Sequence, residues 1–478
     1  MRLFPISVIL LLAWGALAVG GSPSWAGAPI AVFAIATGIL GFLERRERAP
    51  TESAAPSPPH RPVIVALCLF LTAIGVQLVP LPASVVTRLS PSHDVAEFER
   101  LLATADRRDP ERLPMVAAKT PRPLSIAPAR TWWGLGFASA FALYLIGASH
   151  ALSSISAPRL VRLVVIVGIV VAVIGVYQGT SQTSALYGLY YPVNAGGRSG
   201  PFINKNHQAG WLVMVLSLTL GLIAGVVALG MRGVVPRWRD RVLWFSSTQG
   251  NVAVLLGFAA VTMAIGILTT QSRSGAIALV LALTVLALLS GRRQPSNAKR
   301  RVAFTSLVAV GLIALFTSGS AVMSRLAGTA WGGEDRLAVW LDSWRILREF
   351  SLTGTGFNTY GVAMLHYQTV SDGFKFIEAH NDYLQLAVEG GWLLGIPAVL
   401  LIASLALEIR RRFREGKDDT RTYWARVGAV TGLLAIAFQS LVEFTLQMPG
   451  AAAMFATLLA IAIHHPHPRA SNPERRAE

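Results

Sequence analysis

Residues Glu378–Gly391 read EAHNDYLQLAVEGG and run directly into the apolar stretch WLLGIPAVLLIASLAL at 392–407. A histidine therefore stands at the mouth of what otherwise reads as a membrane helix. With a helix starting near Asn381, the residues Asn381, Gln385, Glu389 and Trp392 recur at spacings of four, four and three and share one face. At about 1.5 Å per residue, Glu389 is expected about 12 Å below the helix start. An ionisable group at that depth is expected to face the bundle interior or a water-filled cavity. The helix N-terminus would present unpaired N–H groups and its positive dipole end beside His380, where an anion is held best.

Composition extends this reading to the whole chain. Of 478 residues, 53% are hydrophobic and only 14% are charged, which excludes an ordinary soluble protein. The formal net charge of +17 comes from clusters in short loops between apolar runs. Such clusters follow from the positive-inside rule and argue against nucleic-acid binding. Cys68 is the single cysteine, so no intrachain disulfide or cysteine-ligated metal is possible.

Apolar runs fall near 3–20, 27–43, 62–79, 130–149, 160–178, 208–230, 250–270, 275–290, 302–320, 384–407, 423–444 and 449–465. The expected fold is an all-α polytopic membrane protein of about twelve transmembrane helices, one domain spanning 1–478. Basic residues recur in alternate loops, among them Arg45, Arg46, Arg237, Arg239, Arg292, Arg293, Arg410 and Arg411. This places both termini, the linker 44–61 and the tail 466–478 in the cytoplasm. The first run has a second reading as a signal peptide, which would leave the downstream orientation unchanged. Loops 80–129 and 321–383 fall on the outer side; the first reads as a solvated cap over the bundle, with a short surface helix at Val95–Leu102 as the alternative.

The outer side carries the informative residues. NAGGRSGPFINKNHQAGW at 194–211 sets Arg198, Lys205 and His207 beside a glycine-rich turn that is neither a Walker loop nor a dinucleotide fingerprint. A plain re-entry loop and a ligand-contacting one both remain open there. Arg273 lies in the short turn QSRSG, on the side where short loops avoid basic residues. Leu337, Trp340, Leu341, Trp344 and Leu347 repeat at helical spacing, with Asp335, Asp342, Ser343, Arg345 and Glu349 off the stripe. This predicts an amphipathic helix lying in the membrane interface, tryptophans down, with Arg336 in its first turn; packing against the bundle is the alternative. Gln439, Glu443 and Gln447 form a second polar stripe, read as interhelical hydrogen bonding or as a wall of the cavity below His380.

His380, Arg273 and Arg336 thus reach one surface. Guanidinium groups suit phosphate oxygens, and a histidine takes a proton from an attacking hydroxyl. No HExxH or clustered DxD occurs in the outer loops, so no metal site is visible. AHNDYLQLAVEGGWLLG at 379–395, with SLTGTGFNTYG, the SRSG turn and GPFINKNHQAGWL, resembles the O-antigen ligase and polysaccharide polymerase superfamily of bacterial inner-membrane proteins. The resemblance covers roughly the second half of the chain.

That resemblance implies a C-type glycosyltransferase architecture and a metal-independent enzyme needing no cofactor. It would move a glycan from undecaprenyl pyrophosphate to a lipid or glycan acceptor hydroxyl at the periplasmic face, which makes both outer loops periplasmic. By the same resemblance His380 is the acceptor-activating base, and Arg273 and Arg336 hold the pyrophosphate. Arg198, Lys205, His207, Asn381, Gln385 and Glu389 are the candidate substrate-binding groups, Gln385 and Glu389 shaping the cavity beneath. The competing reading is a transporter or flippase for an anionic or lipid-linked substrate, with Glu389 and Glu443 as coupling groups.

Overall fold

A computed structural model describes residues 3–48, 60–95, 121–152, 156–181, 185–191, 200–231, 238–290, 333–369 and 375–465. Arg198, the interior of the 44–61 linker, the run 302–320, the segment from Val95 to Leu102 and the 466–478 tail lie wholly or mostly outside them. The first half is α1 (Leu3–Leu17), α2 (Ser24–Arg48), α3 (Arg61–Val76), α4 (Ala83–Leu89), α5 (Pro128–Ala151) and α6 (Ser156–Thr180). Then come α7 (Lys205–Gly230), α8 (Trp238–Trp244), α9 (Thr248–Thr269), α10 (Arg273–Ser290), α11 (Gly333–Glu349) and α12 (Tyr360–Tyr367). The chain closes with α13 (Asp382–Glu415), α14 (Thr420–Gln439) and α15 (Pro449–Ile463). Among the described residues the only β pairing is two isolated bridges, so the all-α expectation holds.

The bundle is built around α7. Its sequence is apolar on every side, as a helix surrounded by other helices must be, and Trp211, Leu212, Val213, Met214 and Val215 are fully buried. Helices α6, α9, α10, α14 and α15 pack round it, while α1, α2 and α5 form an adjoining layer.

The expectation of about twelve spans is corrected. Among the described residues, six helices are long and apolar enough to cross a membrane, within α2, α5, α6, α7, α9 and α13. The apolar runs overcount because they merge helices with apolar turns. Thus α1, α3 and α15 stop at 15, 16 and 15 residues, about 22–24 Å at about 1.5 Å per residue against a hydrocarbon core of about 30 Å. The apolar helix at Arg273–Leu289 is also below span length. Helix α14 has 20 residues but carries Arg421 and Arg426, the latter buried against Asp418. The C-type glycosyltransferase architecture that the resemblance implied is withdrawn too, since six candidate spans among the described residues do not make that many-helix fold.

A second correction concerns α13. At Gly391 the backbone takes φ 53° and ψ −151°, so the 34-residue helix is two pieces meeting at a break. The groups freed by the break are taken up by residues 351–356: the N–H groups of Thr355 and Gly356 donate to the carbonyls of Val388 and Glu389 at 3.1 and 3.0 Å. On the other side, the N–H groups of Trp392 and Leu393 donate to Ser351 and Leu352 at 2.8 and 3.0 Å. Buried Gln77 closes the junction, donating to the carbonyls of Thr353 and Glu389 at 2.8 and 2.9 Å. Such pairing is what lets a helix break inside a bundle. Gly354 is pressed so close that a Cβ would stand 2.2 Å from the Glu389 carbonyl. The break also ends the polar stripe: Glu389 is buried while Trp392, beyond it, is 65% exposed.

Helix α11 forms where its spacing predicts, but with two apolar edges. Val339, Asp342, Ser343 and Ile346 are buried against the protein, whereas Leu337, Leu341 and Trp344 are exposed. The buried Asp342 is not on a solvent face; its carboxylate accepts from the N–H and hydroxyl of Thr369 at 2.9–3.1 Å.

Candidate functional site

Past the end of α14, the linker to α15 carries Glu443 and Phe444, and the helix starts of the second half gather on it. Glu443 is 1% exposed. Its Oε1 accepts from Asn206 Nδ2 in the first turn of α7 (2.7 Å), Ser274 Oγ in that of α10 (3.2 Å) and Arg336 Nη2 in that of α11 (3.1 Å). Arg336 Nη1 donates to the Val442 carbonyl at 3.3 Å. The start of α13 is tied alongside: Asp382 accepts from Ser440 Oγ (2.7 Å), Leu446 N–H (3.3 Å) and Gln447 Nε2 (3.3 Å). Helix N-termini carry unpaired N–H groups and positive dipole ends, so converging starts favour negative charge between them. Burial pushes the Glu443 carboxyl up, and the Arg336 guanidinium opposes that shift.

His380 is held from both sides in a left-handed backbone conformation, φ 52°. Trp340 Nε1 donates to the Ala379 carbonyl (2.9 Å), and the Ala379 N–H donates to Gln385 Oε1 (3.0 Å). Asn381 is the N-cap of α13, accepting from the N–H groups of Tyr383 and Leu384 at 3.1 and 3.0 Å. The imidazole packs edge-to-face on Phe444 at 4.7 Å, and His207 packs on the same ring at 4.5 Å. Burial, and then the Arg336 cation, hold the His380 pKa down at about 4, so at neutral pH the ring is an uncharged base. His380 Nδ1, His207 Nε2, Glu443 Oε2 and Gln439 Oε1 are all buried with no hydrogen-bond partner. Buried polar atoms are normally satisfied, and four orphans in one neighbourhood distinguish this place from packing core.

The sequence-predicted residues therefore divide. His380, His207, Arg336 and the turn bearing Arg273 come together; Arg273 itself is exposed, with Ser272 and Ser274 in the buried network. Lys205 is the first residue of α7, next to Asn206, and is half-buried. Asn381 and Gln385 shape the backbone that presents His380. Glu389 is buried, and its carboxylate accepts from the N–H groups of Asn358 (2.8 Å) and Tyr360 (3.1 Å), capping the turn into α12. Asn206 and Phe444 do not stand out in the sequence, and Glu443 reads there as a cavity wall or coupling group without a pairing to Arg336. The signal was the four-residue stripe Gln439, Glu443, Gln447: α14 ends at Gln439, yet Gln439 and Glu443 still meet at Asn206 and Ser274, while Gln447 turns to Asp382.

Residues 258–399 match the O-antigen ligase family model. The matched stretch holds Arg273, Arg336, His380 and the break in α13, whereas Asn206, His207, Glu443 and Phe444 lie outside it. The match covers less than a third of the chain and shows similarity to O-antigen ligases over that stretch. No curated protein matches the chain.

One acidic group within this O-antigen ligase-like segment gives a pH test. Burial raises Glu378 from its ordinary 4.5 to about 8, partly offset by a hydrogen bond from Gln385 Nε2 at 2.6 Å. The folded state then holds a proton that the unfolded state releases, so this group's contribution is present below about pH 4.5 and is lost as pH rises towards about 8. Glu378→Gln is expected to raise the melting temperature in detergent at pH 8 and to change it little at pH 4.5. An equal effect at both pH values would refute the assignment.

Proposed function

We propose that the protein transfers a glycan from undecaprenyl pyrophosphate to an acceptor hydroxyl at the periplasmic face of the bacterial inner membrane. The observation that supports this most is the meeting of Arg336, the SRSG turn and a neutral His380 at one cluster of helix starts. The acceptor oxygen attacks the anomeric carbon and the bond from that carbon to the phosphate oxygen breaks. Undecaprenyl pyrophosphate leaves with the electron pair, and His380 takes the hydroxyl proton. Arg336, with Arg273 in the neighbouring turn, stabilises the charge gathering on the leaving pyrophosphate. The far end of α13 bears exposed Arg410, Arg411 and Arg414, which favours the cytoplasm for that end and the periplasm for His380.

Transport is the weaker reading because both of its coupling groups are engaged: Glu389 on backbone N–H groups and Glu443 on Arg336. The test is purified protein with a defined undecaprenyl pyrophosphate glycan and candidate acceptors. Glycosylated acceptor and free undecaprenyl pyrophosphate should appear in equal amounts. Vesicle uptake of the glycan lipid without any released undecaprenyl pyrophosphate would instead support transport.

A further inference from the structure

The Glu443 carboxylate is bound lopsidedly. Oε1 takes all three donors, from Asn206, Ser274 and Arg336, while Oε2 is buried and has none. The Arg336 side chain is about a third exposed, so an anion arriving from outside reaches the guanidinium that Glu443 grips from within. Of the three donors, only Arg336 carries a charge. If Arg336 turned to another anion, Asn206 Nδ2 and Ser274 Oγ would still hold Oε1, so the buried carboxylate would not be stranded.

We infer that Glu443 is a place-holder for the anionic donor: in the empty site its carboxylate occupies Arg336, and a phosphate group of the incoming substrate displaces it. This rests on the reading of Arg336 as a pyrophosphate-binding residue and adds to it a built-in competitor. The competitor keeps the guanidinium ordered between turnovers and opposes tight retention of the pyrophosphate product. It makes Glu443 a positioning residue whose effect has a distinctive sign. A brace that merely holds Arg336 in place predicts weaker phosphate binding when it is removed. A place-holder predicts tighter binding, because the fraction of Arg336 available to the ligand rises.

The test measures inorganic pyrophosphate binding to the purified full-length protein by calorimetry, for the unsubstituted chain, Glu443→Gln, Glu443→Ala and Arg336→Gln. Both Glu443 variants are expected to bind pyrophosphate about tenfold more tightly, as for a site occupied by its own competitor about nine-tenths of the time. In the transfer assay they should show a lower KM for donor together with a lower kcat, as product leaves more slowly. Arg336→Gln should abolish the gain when combined with Glu443→Gln. Unchanged or weaker binding in both Glu443 variants, with Arg336-dependent binding intact in the unsubstituted protein, overturns the inference and leaves the functional reading standing. No Arg336-dependent pyrophosphate binding in any of these proteins overturns the functional reading and the inference with it.

Discussion

His380→Asn is expected to lower kcat for glycan transfer by about 10²–10⁴-fold, the range for loss of a general base, with the protein still present in the membrane at its normal level. Asparagine is the informative replacement because position 380 sits at φ 52°. Asparagine adopts that left-handed conformation more readily than other non-glycine residues, so the backbone between Trp340 and Gln385 is preserved. What is lost is a ring nitrogen able to take a proton. His380→Gln removes the same nitrogen but adds backbone strain, so equal activity loss in the two variants assigns the effect to the imidazole. An Asn variant working near the unsubstituted rate would remove His380 from the mechanism.

Gly391→Ala is expected to prevent accumulation of the folded protein. The pair φ 53°, ψ −151° lies where essentially only glycine goes, and a Cβ would stand 2.5 Å from the Ser351 carbonyl oxygen and 2.7 Å from Gly354 N. Backbone strain of about 1–3 kcal/mol then adds to a clash with backbone that is itself pinned by the break. Gly395→Ala, four residues on in the same helix, meets nothing within 4 Å and serves as control. Membrane abundance and detergent melting curves read the difference; two variants that melt alike would contradict the account of the break.

Much of the site was legible before the structure because its residues violate the membrane pattern. A histidine at the mouth of an apolar run and an arginine in a short outer turn stand out against lipid. Glu443 stood out in its polar stripe but its pairing with Arg336 did not, because periodicity reports which face of a helix a residue occupies and cannot report where the helix stops or what meets it. With α14 ending at Gln439, the repeat is no longer one helix face: Gln439 and Glu443 both reach Ser274, while Gln447 turns to Asp382. The same limit distorted α13, where a helical projection put Trp392 beside Glu389 and the GG pair at 390–391 separates them. The helix count failed for a related reason: hydropathy carries a run across an apolar turn, as at Val19–Gly21 after α1, without registering that the helix is over.

The joining of Asn206, Ser274 and Arg336 through Glu443 also sets an order in time. Asn206 and Glu443 are 237 residues apart, and Arg336 precedes Glu443 by 107. While the chain is being synthesised, every group expected to touch substrate, His380 included, emerges before the carboxylate that gathers the helix starts. The ribosome must pass residue 443, in the last connection before α15, before those parts are drawn together. Translation that stalls after His380 and before Glu443 leaves a fragment with its arginine and histidine present and no carboxylate to assemble them.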